Sequence, residues 1–254
     1  MPKIAIIAAL EHELRPLIKH WPQTRAQHDG HSFVFYESTY AAAVCSGIGP
    51  EPGRRAAEAI IAKYSPEILI SAGIAGGLTP ELKLGETIFP ATVIDARDSS
   101  RHRTSIHDAP IGSTPLAKTI VVSYPEIAGA EQKLKLGKAY GAHAVDMEGA
   151  SVARAAEAHG LPFVAIKSIS DVVNFELPEM MPFFRDGQFQ TLPFVLHITL
   201  RPWLWPQVFR LARNTKLASE NLCAWLRESA LTNTILPGVR VRTGEAPETP
   251  TTKI

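Results

Sequence analysis

Cysteine is scarce in this chain: Cys45 and Cys223 are the only two in 254 residues, and they lie far apart. That excludes a disulfide framework and a cysteine zinc site, and it fits a reducing, cytoplasmic setting. An excess of charge of one sign is also missing. Lys and Arg number 26 against 25 Asp and Glu, a net +1, so the electrostatic footprint of a nucleic-acid binder is absent. No uncharged apolar run approaches the roughly 20 residues that a spanning helix needs. The first apolar run, Ile4 to Leu10, meets Glu11, His12 and Glu13 at once and lacks a small-residue cleavage site, so it reads as a strand and not as a signal peptide. Three catalytic signatures fail as well. His12-Glu13 would begin a zinc-binding H-E-x-x-H, but position 16 is Pro16; Gly47-Ile48-Gly49 would begin a dinucleotide fingerprint, but the third glycine position holds Pro52. There is no G-x-S-x-G elbow, and Cys45, inside an apolar run, reads as a buried structural thiol.

What is present suits a globular enzyme-sized domain. Hydrophobic residues make up 45% and charged residues 20%, a balance able to bury a sizeable core. Apolar, β-branched runs without polar alternation recur at 3–9, 67–72, 87–94, 119–122 and 162–169, the pattern of strands buried on both faces. Helical segments at 51–64, 129–140 and 148–160 fall between them, the last closing on Gly160. This alternation predicts an α/β fold, a three-layer α/β/α sandwich. A hairpin formed by 31–37 and 40–46 makes the central sheet mixed. From 188 to about 230 the pattern turns helical, interrupted by Pro193, Pro202 and Pro206. No repeat or linker divides the chain, so one domain over 1–235 is expected. Residues 236–254, polar and proline-containing, are expected to be disordered.

Ligands of an α/β sheet bind beyond the carboxyl ends of its strands. Acidic residues follow three of the predicted strands. Glu11 and Glu13 follow the first, in a connecting turn closed by Pro16 at the start of a helix. Asp146-Met147-Glu148 follows the short run 142–145, and Ser170-Asp171 ends the run 163–169. Each also has an ordinary role as a helix cap or as charge at a helix N-terminus. Ser46-Gly47-Ile48-Gly49 and Gly73-Ile74-Ala75-Gly76-Gly77 end two further runs with little side-chain bulk, which suits either tight turns or close approach of backbone to a ligand.

The order strand-E-x-E, S-G-I-G, A-G-I-A-G-G-L, D-M-E-G-A and S-I-S-D, with Leu84-Gly85-Glu86 after the glycine turn, resembles the nucleoside phosphorylase and nucleosidase superfamily. The resemblance covers about residues 3–175 and is strongest to the methylthioadenosine/S-adenosylhomocysteine nucleosidase branch. It implies cleavage of the N-glycosidic bond of a purine nucleoside, with no metal and no organic cofactor. Asp171 is then the acid that protonates purine N7, kept neutral by burial against Ile169 and Val172. Glu13 activates the attacking water, and Glu148 with Met147 clamps the ribose. Ser46, Ile48, Ile74 and Gly76 fall at the family's substrate-binding turns, and Lys167 and Ser170 on the strand that leads to Asp171.

Two departures bear on the nucleophile. Relatives place a serine at the position of Ile74 and an arginine at that of Lys167, and hexameric phosphorylases place an arginine at that of Ser71. Hydrolysis is the first reading and phosphorolysis the alternative, with Arg97, Arg101, His102 and Arg103 as candidates for a substitute anion site. A binding module that has lost catalysis is an alternative of another class. The resemblance further implies a homodimer and base stacking by the segment 123–135. Residues 171–178 and 201–217 look like the hopanoid-biosynthesis-associated members, which act on an adenosyl group carried by a polycyclic lipid. The second segment has four cations and no acid among Trp203, Trp205, Phe209 and Leu211. It reads as an amphipathic helix that packs normally, covers an apolar substrate tail or rests on an anionic membrane.

Overall fold

The computed structural model describes residues 2–105, 119–176, 181–185, 188–190, 193, 199 and 201–232. The predicted tail at 236–254 lies outside the described residues. The chain begins with β1 (Ile4–Ala8), α1 (Glu11–Ile18), β2 (Gln23–His28), β3 (His31–Glu37) and β4 (Ala41–Cys45), followed by α2 (Pro50–Tyr64) and the long β5 (Ile68–Gly77). Next come β6 (Thr87–Ile88), β7 (Thr92–Asp95), β8 (Arg101–Arg103), β9 (Ile120–Ser123), α3 (Ala130–Tyr140), β10 (Ala144–Asp146), α4 (Gly149–Ala158) and β11 (Phe163–Asp171). A short hairpin at 184–189 precedes the final helix α5 (Trp205–Thr232).

One mixed sheet of eleven strands runs in the order β2-β3-β4-β1-β5-β10-β9-β7-β8, with β11 joined to β5 and β6. β1 lies parallel to β4 and β5, β11 lies parallel to β5, and β10 runs antiparallel to it. Successive residues of a strand point to opposite faces, and here both faces are covered. Ile4, Ile6 and Ala8 pack with Leu14, Leu17 and Ile18 of α1 and with Leu222 and Leu226 of α5. Ala5 and Ile7 turn the other way, towards Ala56, Ala57 and Ile60 of α2 and Val152 and Ala153 of α4. Helices on both sides are why β1 can be an uninterrupted apolar run, and they make the three predicted layers. Beyond β5, Ile94 and Val122 pack with Leu136 of α3.

Several local expectations change. The run 87–94 is two strands, because Pro90 cannot donate to a ladder and the chain leaves β6 before it. β2 was not foreseen, since QTRAQH has no apolar periodicity; it is an edge strand held by pairing with β3, Ala26 opposite Phe33. Its signal is Asp29-Gly30, both at positive φ, the turn chemistry of a tight hairpin. Residues 188–189 are extended and not helical. α5 starts cleanly at Trp205 because Pro206 occupies its first turn, where no backbone N–H is required.

Pro16 does not open a helix. α1 begins at Glu11, so Glu11 and Glu13 belong to its first turn and Pro16 lies inside it. A proline there leaves the carbonyl four residues back, that of His12, without its helical partner. The hydroxyl of Ser219 on α5 lies 2.9 Å from that carbonyl oxygen and 2.9 Å from the carbonyl oxygen of Glu13. The helix that carries Glu13 is thus completed by a side chain more than 200 residues away.

Candidate active site

The carboxyl ends of β1, β5, β10 and β11 open onto one cavity of about 850 Å³, within the usual range for small-molecule sites. Its walls include Glu13, Ile74, Gly76, Met147, Glu148 and Asp171, and α1 and α5 supply its outer rim through Arg15, Lys19, Val208, Leu211 and Lys216.

Glu13 is 3% exposed. Its two carboxylate oxygens accept the backbone N–H of Leu10 at 2.9 Å and that of Ile74 at 3.2 Å. The first contact is the helix-capping role available to a glutamate in a first turn; the second ties the carboxylate to β5. Ile74 offers no side-chain hydrogen bond, but its main chain orients Glu13.

Behind this wall lies a charged cluster. Lys167, 2% exposed, pairs with Asp146 at 2.7 Å and donates to Ser71 Oγ at 3.0 Å. Burial by itself would lower the Lys167 pKa, but the Asp146 carboxylate and its hydrogen bond raise it overall. Asp146 also accepts the Ser123 hydroxyl at 2.5 Å and the Gly149 N–H at 2.9 Å, so it caps α4 while holding Lys167. A methyl group at position 149 would lie 2.6 Å from Asp146 Oδ2, closer than any contact can be. Gly149→Ala is expected to lower stability by about 1–3 kcal/mol, the cost of forcing extra volume into a packed site, read from denaturant unfolding.

Glu148, half-buried in the cavity wall, accepts the Gly49 N–H at 2.7 Å. Burial, and then the charge of Asp146, push its pKa up to about 8. The folded protein therefore holds this proton more tightly than the unfolded chain does. The stabilising contribution of Glu148 is complete in acid, declines as pH rises from the ordinary glutamate range, and is gone above about 8. In unfolding titrations Glu148→Gln is expected to flatten that decline.

Asp171 ends β11 just after a register shift against β5, where Asp171 stands opposite Gly76. A bulge of this kind re-aims a side chain. Asp171 Oδ1 accepts the Ser170 hydroxyl at 2.6 Å, and Oδ2 is in contact with the ammonium of Lys133 on α3, which also donates to the Val172 carbonyl at 2.9 Å. Asp171 is 5% exposed, the burial expected of it, and the group it meets there is a cation. Glycine at 76 leaves room for this pair, since a Cβ there would lie 3.0 Å from Asp171 Oδ2 and 3.2 Å from Lys133 Cε and would press on both.

Lys133 itself escaped the sequence reading. It falls inside 123–135, where Glu126, Ile127 and Ala128 also line the cavity, but a lysine between Gln132 and Leu134 looks like any solvated helix residue. It is 1% exposed, a burial that nothing local announces.

Of the sequence-predicted residues, Glu13, Ile48, Ile74, Gly76, Met147, Glu148, Ser170 and Asp171 border the cavity. Two do not. Ser46 turns its hydroxyl to the main-chain oxygens of Ala8 and Gly47, and Lys167 is withdrawn into the Asp146 pair. The proposed substitute anion site does not assemble either. Arg97 is bound to Asp95, His102 to Glu157 and Ser100, Arg101 and Arg103 are exposed, and none of them borders the cavity. The Cys45 thiol is pushed up to about 12 by burial and the nearby Glu13 and Glu11 carboxylates, which keeps it protonated and unreactive. Among the described residues no group of three or more His, Cys, Asp and Glu is placed to hold a metal ion, and no helix is long and apolar enough to cross a membrane.

A mixed, doubly covered sheet with carboxylates gathered at its strand ends around one cavity of small-molecule size defines the class as an α/β protein with its candidate site at the carboxyl edge of the sheet. The comparison with known families narrows this class. The model described as the phosphorylase superfamily matches residues 3–121 and 107–191, and the chain belongs to that superfamily. It is 27% identical to a 5′-methylthioadenosine/S-adenosylhomocysteine nucleosidase of Shewanella halifaxensis over 204 residues, 69% of this chain and 89% of the relative. It is 25% identical to an aminodeoxyfutalosine nucleosidase of Campylobacter jejuni, over 67% of this chain and 86% of the relative. The fold matches that of a solved Helicobacter pylori 5′-methylthioadenosine/S-adenosylhomocysteine nucleosidase with a TM-score of 0.62, at 19% identity, over 89% of this chain and 98% of that one.

Proposed function

We propose that this protein hydrolyses the N-glycosidic bond of an adenosine-type purine nucleoside. The observation that carries the reading is the convergence of Glu13, Glu148 and Asp171, from three separate strand ends, on one cavity. Such a reaction passes through a sugar with oxocarbenium character. It needs an acid at the base, a polar grip on the ribose and a nucleophile at the anomeric carbon.

Asp171 is the group for the base. In its protonated form it gives its proton to purine N7 as the bond to the sugar breaks, so that the base leaves uncharged and the carboxylate that remains meets the ammonium of Lys133. Ser170 fixes the carboxylate through its other oxygen. Glu148 receives the ribose hydroxyls, while Met147 packs on the ring. Once ionised, Glu148 accepts from both hydroxyls. Ribonucleoside affinity is therefore expected to tighten as pH rises through about 8, and Glu148→Gln is expected to lose this dependence in equilibrium binding titrations.

Glu13, its oxygens fixed by two main-chain donors, takes the proton of the attacking water. Charge favours water over phosphate here. The buried cations are both taken, Lys167 by Asp146 and Lys133 by Asp171, so an incoming dianion would face the Glu13 carboxylate, and Glu148 once it ionises, with no free buried cation to receive it. The cations Arg15, Lys19 and Lys216 stand on the rim formed by α1 and α5.

The decisive experiment incubates the purified protein with methylthioadenosine, adenosylhomocysteine, adenosine and inosine, with and without phosphate, and identifies base and sugar. Adenine and a free reducing sugar, released at a rate independent of phosphate, are expected. Sugar 1-phosphate formed only with phosphate would reverse the choice of nucleophile, and tight binding without turnover would make the protein a nucleoside-binding module.

A further inference from the structure

The start of α5 presents a surface that the cleavage reaction does not use. Trp203 and Phe209 are each 69% exposed, and Trp205 is 44% exposed. Trp205, Phe209, Ala212 and Lys216 recur at helical spacing, so they share one face, and exposed Arg213 and Leu217 run beside it. Asn214, Ala218 and Leu222, on the opposite side, are buried. Charge on this segment has one sign: Arg201, Arg210, Arg213 and Lys216 stand in residues 201–219 without a single acid. The first carboxylate is that of Glu220, 3.9 Å from Lys216. The same helix turns Val208, Leu211 and Thr215 to the cavity, and Ala212 and Lys216 of the aromatic face border it too, so that face adjoins the rim of the site.

Large exposed aromatics beside a one-signed cluster call for a partner that is apolar within and anionic at its surface. A second copy of this chain meets the apolar requirement but not the electrostatic one, because a two-fold contact through this face would set like cations together. A polyanion such as nucleic acid neutralises the arginines yet offers no apolar phase to Phe209. An anionic bilayer supplies both: the interfacial region takes aromatic rings, and acidic headgroups take Arg and Lys. We propose that Trp203, in the turn at 202–204, and the exposed face of α5 from 205 to 216 together dock this protein on an anionic lipid surface. Trp203, Trp205 and Phe209 enter the interface, Arg210, Arg213 and Lys216 meet the headgroups, and the rim of the cavity is held next to the membrane. The docking is independent of which bond the site cleaves.

The test uses the full chain with vesicles of mixed phosphatidylglycerol and phosphatidylcholine, and with vesicles of phosphatidylcholine alone, read by co-sedimentation and tryptophan fluorescence. Binding to the anionic vesicles is expected, with a blue shift of the emission and a decline as salt is raised. Trp203→Ser/Phe209→Ser and Arg210→Glu/Arg213→Glu should each weaken it at least about tenfold, and both should leave cleavage of soluble nucleosides unchanged, because none of the four residues borders the cavity. No sedimentation with anionic vesicles, or equal binding to neutral ones, would overturn the proposal. So would variants that change the oligomeric state, since the face would then belong to a second copy.

Discussion

Asp171→Asn is expected to slow purine release by about 10²–10⁴-fold, the usual contribution of a positioned acid, while nucleoside affinity changes little. An amide of the same shape still fits opposite Gly76, but it carries no acidic proton for N7 and gives Lys133 no counter-charge. That second loss has its own consequence. Lys133 is 1% exposed, and a buried charge stripped of its partner costs about 3–5 kcal/mol. Stability and catalysis must therefore be separated. Asp171→Asn/Lys133→Met removes the orphaned charge, so unfolding measurements should find stability largely restored while product analysis still finds purine release slow. Recovery of activity together with stability would mean that Asp171 supports the fold and is not the acid. Unimpaired turnover in Asp171→Asn alone would rule out the assignment directly.

The largest structural effect is expected at Lys167. Lys167→Met leaves the Asp146 carboxylate buried without its cation, removes the donor to Ser71, and brings uncompensated negative charge close to Glu148 and Glu13. A loss of about 3–5 kcal/mol follows from breaking a buried pair on one side only. That is a large part of the roughly 5–15 kcal/mol by which a domain of ordinary stability is held together. Lys167→Met/Asp146→Asn should recover much of it, because the amide oxygen can still accept the Gly149 N–H while the amide NH2 donates to Ser123 Oγ, and no bare charge remains. Equal destabilisation in the single and double variants would show that the packing of the lysine stem, and not its charge, is what counts. Lys167 is here a buried counter-ion for Asp146, a task for which a compact ammonium suffices.

Much of this architecture could be read without coordinates, for reasons that are local. An apolar run such as Ile4–Ala8 is tolerable only between two layers of helices. Gly160 at positive φ ends α4 where a helix stop was expected. The spacing of acids after apolar runs marked Glu13, Glu148 and Asp171 because a residue just beyond a strand has one place to go, the carboxyl edge of the sheet. Edges and irregularities were less legible. β2 has no hydrophobic period because a polar edge strand needs none, and the real start of α1 was hidden by a proline whose missing bond is made good by Ser219.

The sequence by itself determined the layered α/β fold, the edge of the sheet onto which the cavity opens and the carboxylates that border it, since burial periodicity and chain direction are fixed by consecutive residues. Only the tertiary structure decided which cation each carboxylate meets. Lys133 came from α3 to Asp171 at the end of β11 and Lys167 withdrew to Asp146, whereas Arg97 and His102 were drawn away to Asp95 and Glu157. A charged side chain is long and flexible, and its partner is set by whichever opposite charge the packing buries beside it, which no stretch of neighbouring residues encodes.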